Sequence, residues 1–186
     1  MTRKARIIDS AGIYHVTHRG NNRETTFLDV SDYHRYLDLL ALAQKKYPFD
    51  LFHYVLMPNH VHLVLRSRTE RTISPALQWI AQNYAKSFNA AYGKSGHLWG
   101  DRFFSKVIDT DTYLLTAGIY IELNPVRAGI CSDPGAYAWS SHAYYANGKP
   151  NALLKSSPTF TGLHQDVSVR RSTYATITKM WGVING

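Results

Sequence analysis

The chain has 186 residues, of which 45% are hydrophobic, so it can bury a core within one domain and is too apolar to be disordered throughout. Its 21 Lys and Arg against 13 Asp and Glu leave a formal charge of +8 beside nine histidines, thirteen tyrosines and four tryptophans, a mix that suits unstacked nucleic-acid bases better than a membrane surface. One cysteine, Cys131, excludes an internal disulfide; with no signal-like start in MTRKARIIDSAG and no apolar run of about 18 residues, the expectation is a soluble, cytoplasmic protein.

No internal repeat or low-complexity segment appears, and turn residues divide the chain into alternating strand and helix patterns. IYHVTHR, residues 13–19, alternates as a short strand and stops at GNNR. From Asp32 to Lys46, Tyr36, Leu39, Leu40 and Ala43 recur at helical spacing, and Pro48 ends the pattern. Phe52 to Met57 and His60 to Arg66 form a hairpin around Pro58 and Asn59. A second helix spans about Ser74 to Tyr92 and closes on Gly93; the loop GKSGHLWGDRF leads into a strand near Phe103 to Ile108. This βαββαβ order predicts an α+β fold with a ferredoxin-like split βαβ antiparallel sheet, its helices on one face and the other face open. A third helix starts near Asp109 or Asp111, whose side chains can cap it, and Pro125 ends or kinks it. Residues 131–163 lack a clear period, and a last short helix covers His164 to Trp181. The reading is a single domain, 1–186, in which residues 1–130 form the core with an added helix and residues 131–186 form a C-terminal extension packed on it.

The stretch FHYVLMPNHVHLVLR carries two imidazoles at same-side positions of a strand. Alternation sends His60, His62 and Val64 to one face, and Val61, Leu63 and Leu65 to the helix-covered face. Two adjacent imidazoles suit a shared metal ion, yet a pair alone reads equally well as histidines bonded to tyrosines or backbone, so the metal reading needs a third donor. His15, His18 and His53 are candidates, each also at home as a strand residue beside aromatics. The third helix offers another. Tyr113, Ala117, Tyr120 and Asn124 share one stripe, and Leu114, Gly118 and Ile121 form a second that can pack on the core. Crossing the open face, the first stripe brings the Asn124 amide oxygen to His60 and His62 with Tyr120 one turn away. Positions on a hard cation then stay open for phosphate oxygens. A phenol, with an ordinary pKa of about 10, needs a metal or a base before it attacks. Taken alone, Tyr120 also fits plain helix packing.

HVH in a strand followed by YIELNPVRAG resembles the HUH single-tyrosine transposases, most closely the REP-associated group. YHVTHRGNNRE, LMPNHVHLVL, GHLWGDRF and AWSSHAYY extend the likeness over most of residues 1 to about 145. The resemblance implies a nuclease and strand-transfer enzyme for single-stranded DNA that uses a divalent cation, magnesium or manganese. It implies His60, His62 and Asn124 as metal ligands and Tyr120 as the nucleophile that forms a covalent 5′-phosphotyrosine and frees a 3′-hydroxyl. It further implies repeated extragenic palindrome hairpins as targets, in a bacterial cytoplasm, and favours a monomer acting in cis over a homodimer. Related insertion-sequence enzymes commonly carry Gln where Asn124 stands, so the helix must sit closer to the metal here. Glu122 is expected to face away.

Arg19, Arg23, Lys94, Arg102 and Arg127, with His97, Trp99 and Trp139, are candidate DNA contacts that neutralise phosphates or stack bases. Arg3, Lys4 and Arg6 make a candidate basic arm, or equally an unstructured tail. Two rivals use the same residues: a non-catalytic nucleic-acid-binding sheet, and a zinc-dependent phosphodiesterase with His15 or His53 as a further ligand.

Overall fold

The computed structural model describes residues 12–69 and 73–185, so Arg3, Lys4 and Arg6 lie outside the described residues. In chain order come β1 (Ile13–Arg19), α1 (Val30–Lys46), β2 (Phe49–Met57), β3 (His60–Ser67), α2 (Ile73–Tyr92) and β4 (Phe104–Ile108), the expected βαββαβ. The strands form one sheet in the order β2-β3-β1-β4, with every neighbouring pair antiparallel. The fold is the ferredoxin-like one. Among the described residues no helix is long and apolar enough to cross a membrane.

Helix boundaries shift where the caps differ from expectation. Capped by Asp29, α1 starts at Val30 rather than at Asp32, and the fully buried Asp32 side chain accepts from the backbone amides of Leu28 and Asp29 and from the Tyr92 hydroxyl. Then α3 (Asp111–Glu122) is capped by Thr110, whose hydroxyl accepts from the Tyr113 amide at 3.2 Å, rather than by Asp109 or Asp111. As expected, α3 ends just before Pro125, which lies in the first turn of the separate short α4 (Asn124–Arg127), where no amide hydrogen is missed. In the extension, α5 (His142–Asn147) and α6 (Pro158–Thr161) precede α7 (Val167–Asn185), which starts and ends later than the sequence pattern suggests.

Alternation in β3 divides the core as predicted. Val61, Leu63 and Leu65 pack with Tyr36, Leu40 and Ala43 of α1 and Ile80, Tyr84 and Phe88 of α2. The opposite face is not open: Phe52, Val55, Met57 and Val64 pack against Leu114, Ala117 and Ile121 of α3 and Tyr137 of the extension. Accordingly every residue of β2 is buried. A third cluster, Ile119, Leu123, Tyr145, Phe160 and Tyr174, joins the back of α3 to α5, α6 and α7.

Two backbone features set α3 in place. The register of β2 on β3 slips between Leu51 and His53, the mark of a bulge, so that Phe52 and His53 both reach the α3 side instead of alternating across the sheet. The outer edge of β2 is also covered: the Leu56 amide donates to the Trp139 carbonyl, the Ser141 amide to Tyr54, and the Lys155 amide to Leu51. An edge so occupied offers few groups for pairing with another chain.

Gly118 lies where α3 crosses His53, and a Cβ there would stand 2.6 Å from His53 Cε1 and 2.7 Å from Nε2. Alanine would gain about 1 kcal/mol of helix propensity, but overpacking against a buried ring costs about 1–3 kcal/mol. Gly118→Ala is therefore expected to lower the melting temperature; a rise would contradict this close crossing of α3 and β2.

Candidate active site

The turn Pro58–Asn59 delivers His60 as the first residue of β3, and His62 follows on the same face. Opposite His62 stands Thr17 of β1, with Val55 of β2 on its other side; opposite His60 stand Arg19 and Met57. The two imidazole centroids are 5.0 Å apart and the rings nearly perpendicular.

Hydrogen bonding determines which nitrogens these rings present. His60 Nδ1 lies 2.6 Å from Asn59 Oδ1, while Asn59 Nδ2 donates to the Arg23 carbonyl at 3.0 Å, so the amide oxygen faces His60 and His60 Nδ1 is the donor. His62 Nδ1 lies 2.9 Å from His15 Nε2 and 3.0 Å from Thr17 Oγ1. Both rings thus engage their neighbours through Nδ1, and a neutral imidazole protonated there has a lone pair on Nε2, the usual arrangement of a metal-ligating histidine. Burial, then the positive Arg19, lowers the His60 pKa to about 4. Burial, then His15, His60 and Arg19, lowers that of His62 to about 3. Both rings are neutral at pH 7 and ready as ligands.

Tyr120 sits in the last turn of α3, 39% exposed. Its ring approaches His62 and His15 edge-on, with centroid separations of 6.4 and 6.5 Å, and the Arg127 guanidinium lies over the tyrosine ring at 5.0 Å. Asn124, one turn on, donates through Nδ2 to the carbonyls of Tyr120 and Ile121, which leaves Oδ1 as the acceptor end of that amide. Neutral imidazole nitrogens and an amide oxygen are donor types that a divalent cation with open positions accepts. Among the described residues no three His, Cys, Asp or Glu side chains stand together as a metal site. Of the further ligands a zinc site would need, His53 is buried with Nδ1 on Glu122, and His15 Nε2 is engaged by His62.

The candidate DNA contacts separate into groups. Arg19 is exposed beside His60, Arg127 covers Tyr120, and Arg23 is exposed in a turn where Asn22 and Arg23 both have positive φ, at 50° and 62°. Lys94, His97 and Arg102 are exposed on the loop between α2 and β4. That loop and α2 enclose a groove of about 760 Å³ lined by His18, Gln78, Gln82, His97, Trp99 and Arg102, on the helix-covered side of the sheet rather than beside His62. Trp99 is packed rather than bare: it stacks on His18 at 4.2 Å and donates from Nε1 to the Ala81 carbonyl. Trp139 likewise stacks on Tyr33 of α1 at 4.6 Å. The sequence offers His15 as a ligand or as a strand residue beside aromatics, and nothing in it marks Thr17 and Asn59 as orienting groups. Only the β1–β3 register shows which β1 residues face His62.

The chain belongs to the IS200-like transposases, whose family pattern matches residues 10–124, more than half its length. Transposases are DNA-cleaving enzymes, and the chain is one by class. Its structure is similar to that of a REP-associated tyrosine transposase bound to a REP hairpin, at a TM-score of 0.66 and 21% identity over 84% of this chain and 93% of that one. A Deinococcus radiodurans protein described as a candidate transposase is similar at a TM-score of 0.44 and 20% identity, over 62% of this chain and 92% of that one. No curated protein matches.

A stability prediction follows from the buried imidazoles. His18, whose pKa burial lowers to about 4, joins His60 and His62 in staying neutral when folded. Unfolded, each titrates near 6.5, so on acidification the unfolded chain binds protons that the folded one refuses, and stability is lost as pH falls below about 6.5. The melting temperature is expected to drop between about pH 7 and about pH 5, before carboxylates contribute. Equal melting temperatures across that window would show that these rings are not shielded.

Proposed function

We propose that this transposase cleaves and rejoins single-stranded DNA beside palindromic hairpins, with Tyr120 as nucleophile and His60, His62 and Asn124 as the residues that hold a divalent cation, magnesium or manganese. One observation carries the reading: an exposed phenol lies edge-on to a neutral imidazole pair, 6.4 Å from the nearer ring of that pair, and both imidazoles are engaged through Nδ1. A cation bound there would supply charge to polarise a phosphate oxygen.

Tyr120 Oη attacks the scissile phosphorus and the bond to the 3′ oxygen breaks, leaving a 5′-phosphotyrosine; the phenol loses its proton and the departing oxygen gains one. Because the phosphodiester energy is kept in the tyrosyl ester, a 3′-hydroxyl can reverse the step on the same or another strand. Asn124 binds the last turn of α3 through Nδ2, so its amide and the Tyr120 backbone move together. Arg19 and Arg127 flank the site and counter phosphate charge. A REP hairpin as target is supported by the hairpin-bound relative of like fold. The assembly proposed is a monomer acting in cis, with a homodimer as the alternative.

Incubated with a labelled single-stranded hairpin and manganese, the protein is expected to give a covalent adduct on a denaturing gel. Tyr120→Phe should reduce it by about a thousandfold or more while hairpin binding persists. His60→Ala and His62→Ala should lose metal-supported cleavage with circular dichroism unchanged. Cleavage by Tyr120→Phe would place the nucleophile elsewhere; tight hairpin binding without any adduct in the parent protein would favour the non-catalytic binding sheet.

A further inference from the structure

Glu122 stands two residues beyond Tyr120 on α3, on the opposite side of the helix, and is wholly buried. Each carboxylate oxygen accepts two hydrogen bonds. His53 Nδ1 at 2.9 Å and Ser141 Oγ at 2.6 Å bind Oε1; His142 Nδ1 at 3.1 Å and the Tyr174 hydroxyl at 2.9 Å bind Oε2. One donor comes from β2, and the other three come from the C-terminal extension.

A buried carboxylate is a poor choice if the aim is only to attach a helix, since an apolar residue of similar volume often does as well or better. Its neighbours Ile119, Ile121 and Leu123 already supply apolar contact. Such contact surrounds much of α3, for Ala117 and Ile121 face the sheet while Ile119 and Leu123 face α6 and α7. Apolar surfaces on several sides do not by themselves define a helix's rotation about its axis, because the hydrophobic effect is non-directional. Four directed hydrogen bonds do. They act on the final turn, which carries Tyr120 and is followed by Asn124, where a helix otherwise frays. Close by, His53 abuts Gly118 and stacks on Tyr145 at 4.3 Å, which closes the same seat from a second side.

We propose that Glu122 is a positioning residue for strand cleavage: its four donors let β2 and the C-terminal extension together set the rotation of the helix that presents Tyr120 to the His60–His62 face. The proposal rests on Tyr120 being the nucleophile. Residue 122 and residue 120 share one rigid turn, so any rotation at the carboxylate is passed to the phenol. A misplacement of about 1 Å at a reacting atom costs on the order of a hundredfold in rate.

Glu122→Gln keeps the volume and gives the network an amide nitrogen where two donors require an acceptor. In single-turnover cleavage of a preformed hairpin complex with manganese, its rate is expected to fall about ten- to a hundredfold, with hairpin affinity within about twofold of the parent. Tyr174→Phe, which removes one donor, should fall less in the same direction. Fluorotyrosine placed at position 120 should give one narrow fluorine resonance in the parent and a broadened or split one in Glu122→Gln. A folded Glu122→Gln protein that cleaves at the parental rate, or keeps the narrow resonance, overturns the proposal. Should Glu122→Gln fail to fold, parental rates in both Tyr174→Phe and Ser141→Ala overturn it. Adduct formation by Tyr120→Phe would remove the nucleophile and this proposal with it, whereas an inactive Tyr120→Phe beside a fully active Glu122→Gln removes this proposal alone.

Discussion

A carboxylate sealed from water must be satisfied by the protein, and the placement of α3 follows from how Glu122 meets that requirement. Burial raises its pKa, but hydrogen bonds from His142 and His53 and their charge more than reverse this and hold it at about 2, so the group is ionised. Supplying those donors constrains three regions at once. The β2 bulge turns His53 toward α3, Gly118 leaves space for that ring, and the segment from Trp139 to Ser141 runs along the β2 edge before entering α5. The two His53 nitrogens differ accordingly: Nδ1 serves Glu122, and Nε2 is buried without a hydrogen-bond partner among the described residues.

The residues proposed for the chemistry lie on the other side of the same helix. There burial comes first and charge second: desolvation, then Lys106 at His15, Arg19 at His60, and His15, His60 and Arg19 at His62, lowers the readiness of these imidazoles to take a proton. A cluster of this kind holds little charge of its own while Arg19 and Arg127 stand at its rim, so it suits a divalent cation and then a phosphodiester. The Nδ1 contacts from Asn59, His15 and Thr17 fix the ring orientations before any ligand arrives, which lowers the cost of assembling the site.

The aromatic and basic residues of this protein divide between scaffold and surface in a way that composition conceals. Trp99 joins His18 under the loop between α2 and β4, and Trp139 bridges the β2 edge to Tyr33 of α1. Both are scaffold rings that hold a connecting segment on the core. The cations nearby remain at the surface, where their charge is available to a polyanion. The positive balance therefore lies at the surface, and much of the aromatic content belongs to packing.

Local pattern determined a good deal by itself. The exact limits of β1, the β3 start at His60, the βαββαβ order and the inward face of Val61, Leu63 and Leu65 are readable because period-two and period-3.6 alternation are properties of neighbouring residues. The stripe read from Tyr120 to Asn124 crosses a helix end, since Asn124 is the first residue of α4 and meets Tyr120 through its backbone carbonyl. Tertiary structure alone decided that the second sheet face is covered, that α7 runs to Asn185, that His15 and Thr17 orient His62, and that Glu122 joins β2 to α5 and α7. Those partners lie 69, 20 and 52 residues from Glu122 along the chain. Nothing local specifies which distant donor meets a given carboxylate; that depends on strand register, on a single bulge and on the path of the extension across the sheet edge.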